Sequence, residues 1–235
     1  MLEALKQEVC QANLDLVKEG LVILTWGNAS AIDRNQQLIV IKPSGVSYDK
    51  LAPEQMVVVE LNSGRVVEGR LKPSSDTPTH LVLYRAFREI GGIVHTHSLF
   101  ATAWAQTCSD LPALGTTHAD YFHGPVRCTR HLLPRELRSD YEANTGNVIV
   151  ETLRGRDPMS SPGILVASHG PFVWGRTIAE ARHHAVVLEH LARLAGETLR
   201  LAPSIGPMPA ELMNKHFSRK HGPDAYYGQA PPRGN

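Results

Sequence analysis

The sequence is poor in cysteine, lacks long apolar runs and carries almost no net charge. Its three cysteines, Cys10, Cys108 and Cys128, are widely spaced and form no CxxC pair. An odd, scattered set argues against a disulfide framework and against a cysteine-based zinc site, and it predicts reduced thiols. Because the chain contains no run of about 18 apolar residues, we expect no transmembrane helix.

The charge balance excludes further classes of protein. Lysine and arginine number 24, aspartate and glutamate 23, and the net charge is +1. Since basic residues also form no long run, neither nucleic acid nor a membrane surface is expected as a partner. Residues 1–6 lack the apolar block of a secretory signal. Together with the reduced thiols, these features favour a cytoplasmic protein.

Hydrophobic periodicity predicts helices and strands along the chain. Apolar residues spaced by three and four predict helices at 2–19, 77–87, 98–107, 177–195 and 210–219. β-Branched and apolar runs predict strands at 22–25, 38–41, 57–60, 66–67, 147–153, 163–169 and 171–174, besides the strand that leads into His95 and His97.

The connections indicate how these elements combine. A turn at 62–65 predicts a hairpin between the strands on either side of it. Connections of this kind favour an α/β fold in which helices cover a largely antiparallel sheet. The 235 residues could form one large domain or two small ones, but no linker divides the chain. We therefore expect a single domain over 1–229 and a disordered tail at 230–235.

Three histidines stand at the ends of two apolar strands. His95 and His97 end one strand and His169 ends the other. Side chains at i and i+2 of a strand point from one face, with Cα atoms roughly 6.6 Å apart, and a third imidazole would complete an open divalent-metal site. A His-X-His pair alone is more often structural, but two converging strand ends favour a metal. Asp76 could add a carboxylate oxygen, a donor set that suits Zn²⁺ or Mn²⁺.

Several loops could bind a phosphate. Ser74 and Ser75 precede a predicted helix, whose N-terminus offers unpaired N–H groups. Lys42, Ser44 and Gly45 follow an apolar strand, and Gly27-Asn28 forms a further loop. Each segment alone is compatible with ordinary capping or loop structure. Together they supply a cation, hydroxyl groups and backbone amides, which a phosphate monoester requires.

Asp120 is an acid in an otherwise uncharged stretch. Such a setting can raise the pKa of a carboxyl group toward neutrality. An ordinary helix-capping role is an equal alternative for this residue.

Ordered segments along the chain resemble a known family. They are LTWGN at 24–28, IKPSG at 41–45, KPSSDTPTH at 72–80, GGIVHTH at 91–97, GTTHADY at 115–121, TGNVIVET at 145–152, SHGPF at 168–172, RKHG at 219–222 and AYYGQ at 225–229. In this order they resemble the L-ribulose-5-phosphate 4-epimerase family of the class II aldolase/epimerase superfamily.

This resemblance implies a fold, an assembly and a site. The fold is a three-layer α/β/α sandwich with a largely antiparallel sheet, assembled as a homotetramer with active sites between subunits. Zn²⁺, or Mn²⁺ or another divalent cation, would be held by Asp76, His95, His97 and His169. The substrate phosphate would be held by Asn28, Lys42, Ser44, Gly45, Ser74 and Ser75. An acid/base pair, Asp120 and Tyr227, would come from the adjacent subunit, and His216 would either position the site or lie on a helix surface.

The implied reaction interconverts L-ribulose 5-phosphate and D-xylulose 5-phosphate, a phosphorylated ketopentose pair, by retro-aldol cleavage of C3–C4. The alternative is a class II aldolase that resembles fuculose-phosphate aldolase and releases its aldehyde. Aldolases of that kind carry glutamate where this chain has Asp76, which favours the epimerase. A non-catalytic protein with a structural zinc site is a further alternative. Breakdown of arabinose and of ascorbate both use this epimerisation, and the sequence does not choose between them.

Overall fold

A seven-stranded antiparallel sheet forms the centre of the protein. The computed structural model describes residues 2–223 and 225–226. Its strands are β1 (Asn28–Asp33), β2 (Leu38–Ile41), β3 (Val57–Glu60), β4 (Val66–Glu68), β5 (Gly92–His95), β6 (Gly163–Val166) and β7 (Gly170–Gly175). They follow the order β4-β3-β2-β1-β5-β7-β6, and every neighbouring pair is antiparallel. The predicted hairpin around residues 62–65 is confirmed as β3 and β4.

Helices cover both faces of this sheet. They are α1 (Glu3–Lys18), α2 (Thr77–Ala86), α3 (Leu99–Gln106), α4 (Thr116–Ala119), α5 (Pro134–Leu137), α6 (Tyr141–Thr152), α7 (Ile178–Leu201) and α8 (Ala210–His221). Single turns of 3₁₀ helix lie at Tyr48–Lys50 and Pro53–Gln55. In the part of the chain that is described, no helix is both long enough and apolar enough to cross a bilayer.

The two faces are buried in separate apolar clusters because side chains alternate along each strand. Val40 and Val58 pack with residues of α1, α3 and α7, including Leu16 and Leu188. Their neighbours in the strands point the other way and pack with residues of α2 and α6, including Tyr84. Helix layers on both sides of an antiparallel sheet confirm the predicted three-layer α/β/α sandwich.

Two predicted strands are wrong. Residues 22–25 form a loop rather than a strand. Residues 147–152 belong to α6, although Val148, Ile149 and Val150 are β-branched. Thr145, Val148 and Ile149 are buried, which is the three- and four-residue spacing of a helix face. Packing on the sheet therefore outweighs the intrinsic strand preference of these residues.

The predicted histidine strands are shorter than expected. β5 ends at His95 and β6 at Val166, so His97 and His169 lie in the turns that follow these strands. The expected i, i+2 geometry of one strand therefore does not place His97. Both turns nevertheless leave the sheet at the same edge, because β5 and β6 each pair antiparallel with β7.

Gly146 allows α6 to pack closely against α2. A Cβ atom on Gly146 would lie 2.7 Å from Val82 Cβ and 3.1 Å from the carbonyl oxygen of Thr79. No side chain fits at that separation. The close approach fixes the N-terminal end of α6 near the N-terminal end of α2.

A buried asparagine connects α1 to the strand that leads to the site. Asn13 is fully buried, and its Oδ1 accepts from Ala29 N–H at 2.9 Å while its Nδ2 donates to Ala29 C=O at 3.2 Å. The pairing of β1 with β2 extends only as far as Ser30 and Ile41. The Asn13 amide thus replaces the missing strand partner of Ala29, immediately beside Asn28.

We expect Asn13→Ala to lower the free energy of unfolding by roughly 2–4 kcal/mol, because it leaves a buried N–H and a buried C=O unpaired. Urea denaturation monitored by circular dichroism measures the change. Gln7→Ala, at an exposed position of the same helix, is the matched control and should change stability by less than about 0.5 kcal/mol. Equal stability of the two variants would contradict this role of Asn13.

Candidate active site

One cavity of about 410 Å³ gathers most of the residues predicted from the sequence. It lies at the edge of the sheet where β1 begins and where β2 and β5 end. Every residue predicted to bind metal or phosphate lines it: Asn28, Lys42, Ser44, Gly45, Ser74, Ser75, Asp76, His95, His97 and His169. Segments separated by more than half the length of the chain thus converge on one space.

Three imidazoles converge in this cavity. Ligand nitrogens of His95, His97 and His169 all lie within 4.8 Å of one another, and the Nε2 atoms of His95 and His97 are 3.1 Å apart. Nδ1 of His95 lies 2.9 Å from the carbonyl oxygen of Pro171. A carbonyl can only accept, so Nδ1 carries the proton and Nε2 of His95 turns a lone pair toward the other two rings.

Burial keeps these imidazoles neutral. It lowers the pKa of His95 to about 3, against the opposing effect of the Asp76 carboxylate. It also lowers the pKa values of His97 and His169. Nδ1 of His169 is buried without a hydrogen-bond partner among the described residues. Neutral rings with converging lone pairs, one of them otherwise unsatisfied, are the donor set that a divalent cation requires.

Asp76 lies beside the imidazole cluster. It occupies the N-cap position of α2 but makes no side-chain capping bond. Its Oδ2 instead accepts from Nδ2 of Asn28 at 2.7 Å. Burial raises the pKa of Asp76, but His95, His80 and the Asn28 amide lower it by more, and the carboxyl group stays ionised. The cavity therefore holds one carboxylate next to three neutral imidazoles.

Lys42 is a buried cation. It is 2% exposed, and its Nζ lies 4.7 Å from the centre of the Tyr48 ring and 3.5 Å from the Pro43 carbonyl oxygen. No carboxylate within 2–223 and 225–226 forms an ion pair with it. Burial accordingly lowers its pKa. An ammonium group held in this way at a cavity wall can bind an anion.

The two predicted anion loops lie side by side. Ser44 N–H donates to the Lys72 carbonyl at 2.9 Å, and Ser74 N–H donates to the Lys42 carbonyl at 3.0 Å. Ser44 and Ser75 are exposed at the cavity. The loops thus present hydroxyl groups next to the Lys42 ammonium group.

A tight loop brings Trp26 and Asn28 against the histidines. Gly27 has φ +75°, and a Cβ there would lie 2.8 Å from Val22 Cγ1 and 2.9 Å from the His95 carbonyl oxygen. Only glycine fits this conformation and this contact. The Tyr48 hydroxyl donates to the carbonyls of Trp26 and Gly27, at 2.8 and 3.1 Å. The ring of Trp26 consequently lies 6.2 Å from that of His97.

Sequence reasoning missed Tyr141 and Glu142. Both line the cavity, and the Tyr141 ring lies 6.5 Å from the His169 ring. They belong to the first turn of α6, the segment partly mistaken for a strand. Asp140 directly before them, with an acid in the following turn, is a helix-start signal that could have identified this segment.

Asp120 lies outside this cavity. It is 9% exposed and is the C-cap residue of α4, where its backbone N–H donates to the Thr116 carbonyl. Its carboxylate contacts α8. The expected rise of its pKa is wrong. Burial raises the pKa of Asp120, but hydrogen bonds from Arg219 and His216 and the charge of Lys220 outweigh it and lower the pKa. Tyr227, the predicted partner of Asp120, lies outside the described residues.

Comparison with known proteins places these residues in context. Residues 7–195 match the family model for the class II aldolase and adducin N-terminal domain. The chain is 56% identical over 228 residues to the L-ribulose-5-phosphate 4-epimerase UlaF of Salmonella paratyphi B, covering 97% of this chain and 100% of that protein. The same identity and coverage hold for the UlaF epimerase of Salmonella typhi.

Solved structures share the fold. An L-fuculose 1-phosphate aldolase superposes with a TM-score of 0.78 at 26% identity, covering 92% of this chain and 95% of that one. YgbL of Klebsiella pneumoniae, described as a putative aldolase/epimerase/decarboxylase, superposes with a TM-score of 0.72 at 26% identity, covering 92% and 99%. The fold thus occurs in proteins with more than one name.

We expect Lys42→Met to raise the free energy of unfolding of the ligand-free protein by about 1 kcal/mol at pH 7, because it removes a buried charge. The pKa of Lys42 is lower in the folded protein than in the unfolded chain. Between that lowered pKa and the ordinary value of 10.5, the unfolded chain therefore binds more protons than the folded protein. Wild-type stability should therefore rise with pH in that window, and the advantage of the variant should shrink.

Urea denaturation at several pH values checks this expectation. Lys50→Met, at an exposed lysine of the next 3₁₀ turn, is the matched control and should differ little from the wild type at any pH. A Lys42→Met protein that is less stable than the wild type at pH 7 would show that the buried ammonium group stabilises the fold.

Proposed function

Because this chain belongs to the class II aldolase and adducin N-terminal domain family, we propose that it is a metal-dependent L-ribulose-5-phosphate 4-epimerase. It interconverts L-ribulose 5-phosphate and D-xylulose 5-phosphate by breaking and re-forming the C3–C4 bond. The observation that carries this proposal is 56% identity along the entire length of a Salmonella epimerase. The cavity supports it by joining metal-type ligands to an anion pocket.

The three histidines and Asp76 would hold Zn²⁺, or alternatively Mn²⁺. When bound, such a cation acts as a Lewis acid toward the oxygens of the substrate. Two observations support this ligand set: Nδ1 of His169 has no hydrogen-bond partner in the described part of the chain, and His95 is neutral. Asn28 donates to Asp76 at 2.7 Å and so fixes the orientation of its carboxylate at the cavity.

Lys42 and the loops beside it would bind the substrate phosphate. The cavity is lined by the residues that would do so: Lys42 with its ammonium group, Ser44, Ser74 and Ser75 with their hydroxyls, and Asn28 and Gly45 in their loops. C3–C4 cleavage leaves the enediolate of dihydroxyacetone, which keeps the electron pair of the broken bond and later attacks the aldehyde. The other fragment is glycolaldehyde phosphate, whose phosphate keeps it in the site. The aldehyde can then turn its other face and be attacked again, which inverts C4.

Two proton-transfer groups are needed on opposite sides of the substrate. Cleavage removes a proton from the C4 hydroxyl, and addition to the other aldehyde face returns one to the C4 oxygen. We assign these steps to Asp120 and Tyr227. Asp120 does not line the cavity of its own chain, which supports its supply by an adjacent subunit of a homotetramer.

We place the protein in the cytoplasm. All three cysteines are free, and Cys108 is exposed. Exposed thiols persist in reducing compartments.

A class II aldolase that releases its aldehyde is the second candidate. The superposition on L-fuculose 1-phosphate aldolase, with a TM-score of 0.78, favours it as a fold relative. Product analysis separates the two, because an aldolase accumulates free glycolaldehyde phosphate and an epimerase accumulates D-xylulose 5-phosphate.

We expect His95→Asn to lose bound metal and to lower epimerisation at least 100-fold, because one imidazole leaves the ligand set. Elemental analysis gives the metal content, and a coupled assay for D-xylulose 5-phosphate, with and without chelator, gives the activity. His190→Asn, at an exposed histidine of α7, is the control and should keep both. A fully metallated and active His95→Asn protein would end the ligand assignment.

We expect Tyr227→Phe and Asp120→Asn each to lower turnover by about 10²–10⁴-fold at normal metal content, since each removes a proton-transfer group. Tyr226→Phe is the matched control for the phenol. Normal turnover of Tyr227→Phe would remove this residue from the mechanism.

Mixed oligomers test where Asp120 acts. Subunits carrying Asp120→Asn and subunits carrying His95→Asn are each inactive alone. Refolded together, they should regain part of the activity if a site combines the histidines of one subunit with Asp120 of another. No recovery from stable mixed oligomers would place Asp120 and the histidines in the same subunit's site.

A further inference from the structure

The guanidinium group of Arg219 forms a bidentate ion pair with the carboxylate of Asp120. Its NH2 group donates to Oδ2 at 2.8 Å and to Oδ1 at 3.0 Å, and its Nε donates to Oδ1 at 3.2 Å. The side chains are 23% and 12% exposed. A bidentate contact of this kind fixes both the position and the plane of a carboxylate, which a single point charge cannot do.

Other groups surround the same aspartate. From α8, His216 Nδ1 lies 3.1 Å from Oδ1, Lys220 Nζ lies 3.6 Å from Oδ2, and His221 Nε2 lies 2.9 Å from the Asp120 carbonyl. Residues 216, 219 and 220 share one helix face through their three- and four-residue spacing.

Two neighbours of Asp120 in the chain, His118 and Tyr121, contact other groups than its carboxylate. His118 Nε2 lies 2.7 Å from the Gly124 carbonyl oxygen, and the Tyr121 ring lies 4.2 Å from Lys220 Nζ. The polar contacts of the carboxylate therefore come from α8.

The backbone of Arg219 holds the segment that follows α8. The N–H of Tyr226, the residue before Tyr227, donates to the Arg219 carbonyl at 3.0 Å. Ala225 N–H donates to the Gly222 carbonyl at 3.1 Å, which turns the chain back toward the helix. One residue thus contacts Asp120 through its side chain and the neighbour of Tyr227 through its carbonyl.

Apolar packing of α8 is slight. Met213 is its buried residue and packs in a small cluster with Ala113, Ala119 and Met208. Such a cluster holds a helix of this length only loosely, so the polar contacts at its C-terminal end determine its placement there.

We propose that Arg219 is a positioning residue that fixes Asp120 and the segment before Tyr227 relative to each other, so that the two proton-transfer groups enter the neighbouring site as one unit. This inference rests on the proposed function. Arg219 acts through Asp120 rather than on the substrate, so its loss changes the rate of the proton-transfer step and leaves metal and phosphate binding unchanged.

A double-mutant cycle in the full-length enzyme tests the proposal. We expect Arg219→Gln to lower kcat about 10- to 100-fold through misplacement of Asp120, with KM within about twofold and metal content unchanged. Arg219→Lys keeps the charge without the fork and should fall between the wild type and Arg219→Gln. The double variant Asp120→Asn/Arg219→Gln should be no slower than Asp120→Asn alone, because both changes affect one group.

The pH dependence of kcat distinguishes a positioning role from a purely structural role, which would leave it unchanged. Burial raises the pKa of Asp120, and Arg219 opposes that rise. Without the guanidinium group the pKa of Asp120 rises, so a larger share of Asp120 is protonated at low pH. The ratio of wild-type to Arg219→Gln kcat should therefore increase as the pH is lowered. Arg200→Gln, at an exposed arginine that bonds Glu197 at 2.9 Å, is the control and should match the wild type throughout.

The outcomes separate the two proposals. Active wild-type enzyme with additive losses in the cycle, or with a ratio of wild-type to Arg219→Gln kcat that falls as the pH is lowered, would overturn the positioning role alone. Wild-type enzyme that does not convert L-ribulose 5-phosphate would overturn the proposed function and this inference with it. If Arg219→Gln does not fold, Arg219→Lys carries the same cycle, with a smaller loss expected.

Discussion

Three neutral imidazoles at one edge of an antiparallel sheet are the constraint on which the rest of the structure depends. Burial lowers the pKa of His95 to about 3, and the rings can lie this close only because none of them is charged. His97 and His169 lie in the turns after β5 and β6, and Asn28 lies at the start of β1. All three residues line the same cavity. The converging nitrogen lone pairs repel one another and destabilise the fold when no cation is bound. A bound cation would be coordinated by them and would stabilise the fold.

The fold also separates the residues proposed to bind the substrate from the residue proposed to transfer its protons. The parts proposed for metal and phosphate belong to the sheet edge and the first turns of α2, where backbone hydrogen bonds fix the loops. Asp120 belongs to a different region, beside α8, and Arg219 fixes it there at 2.8 Å. The proposed oligomer would bring these two rigid regions together across a subunit boundary.

Local sequence patterns predicted those site residues that stand next to a recognisable strand or helix start. His95 and His169 follow apolar strands, and the serines before α2 follow a helix-start pattern, so their convergence could be expected. Tyr141 was not predicted as a site residue, because the β-branched residues later in α6 favour a strand. Only the packing of this segment against the sheet makes it a helix. The environment of Asp120 could not be predicted, since Arg219 lies 99 residues away and no local pattern connects them.

The burial of Lys42 has a consequence for selectivity. An ammonium group held in place before any ligand arrives attracts every small phosphorylated metabolite, and inorganic phosphate as well. In the proposed site, discrimination among sugars would therefore depend on the histidines and Asp76, which would meet the carbonyl and hydroxyl groups of the substrate. If Lys42 binds the substrate phosphate as proposed, free phosphate would compete with the substrate for this site, and the reaction rate would fall as the phosphate concentration rises.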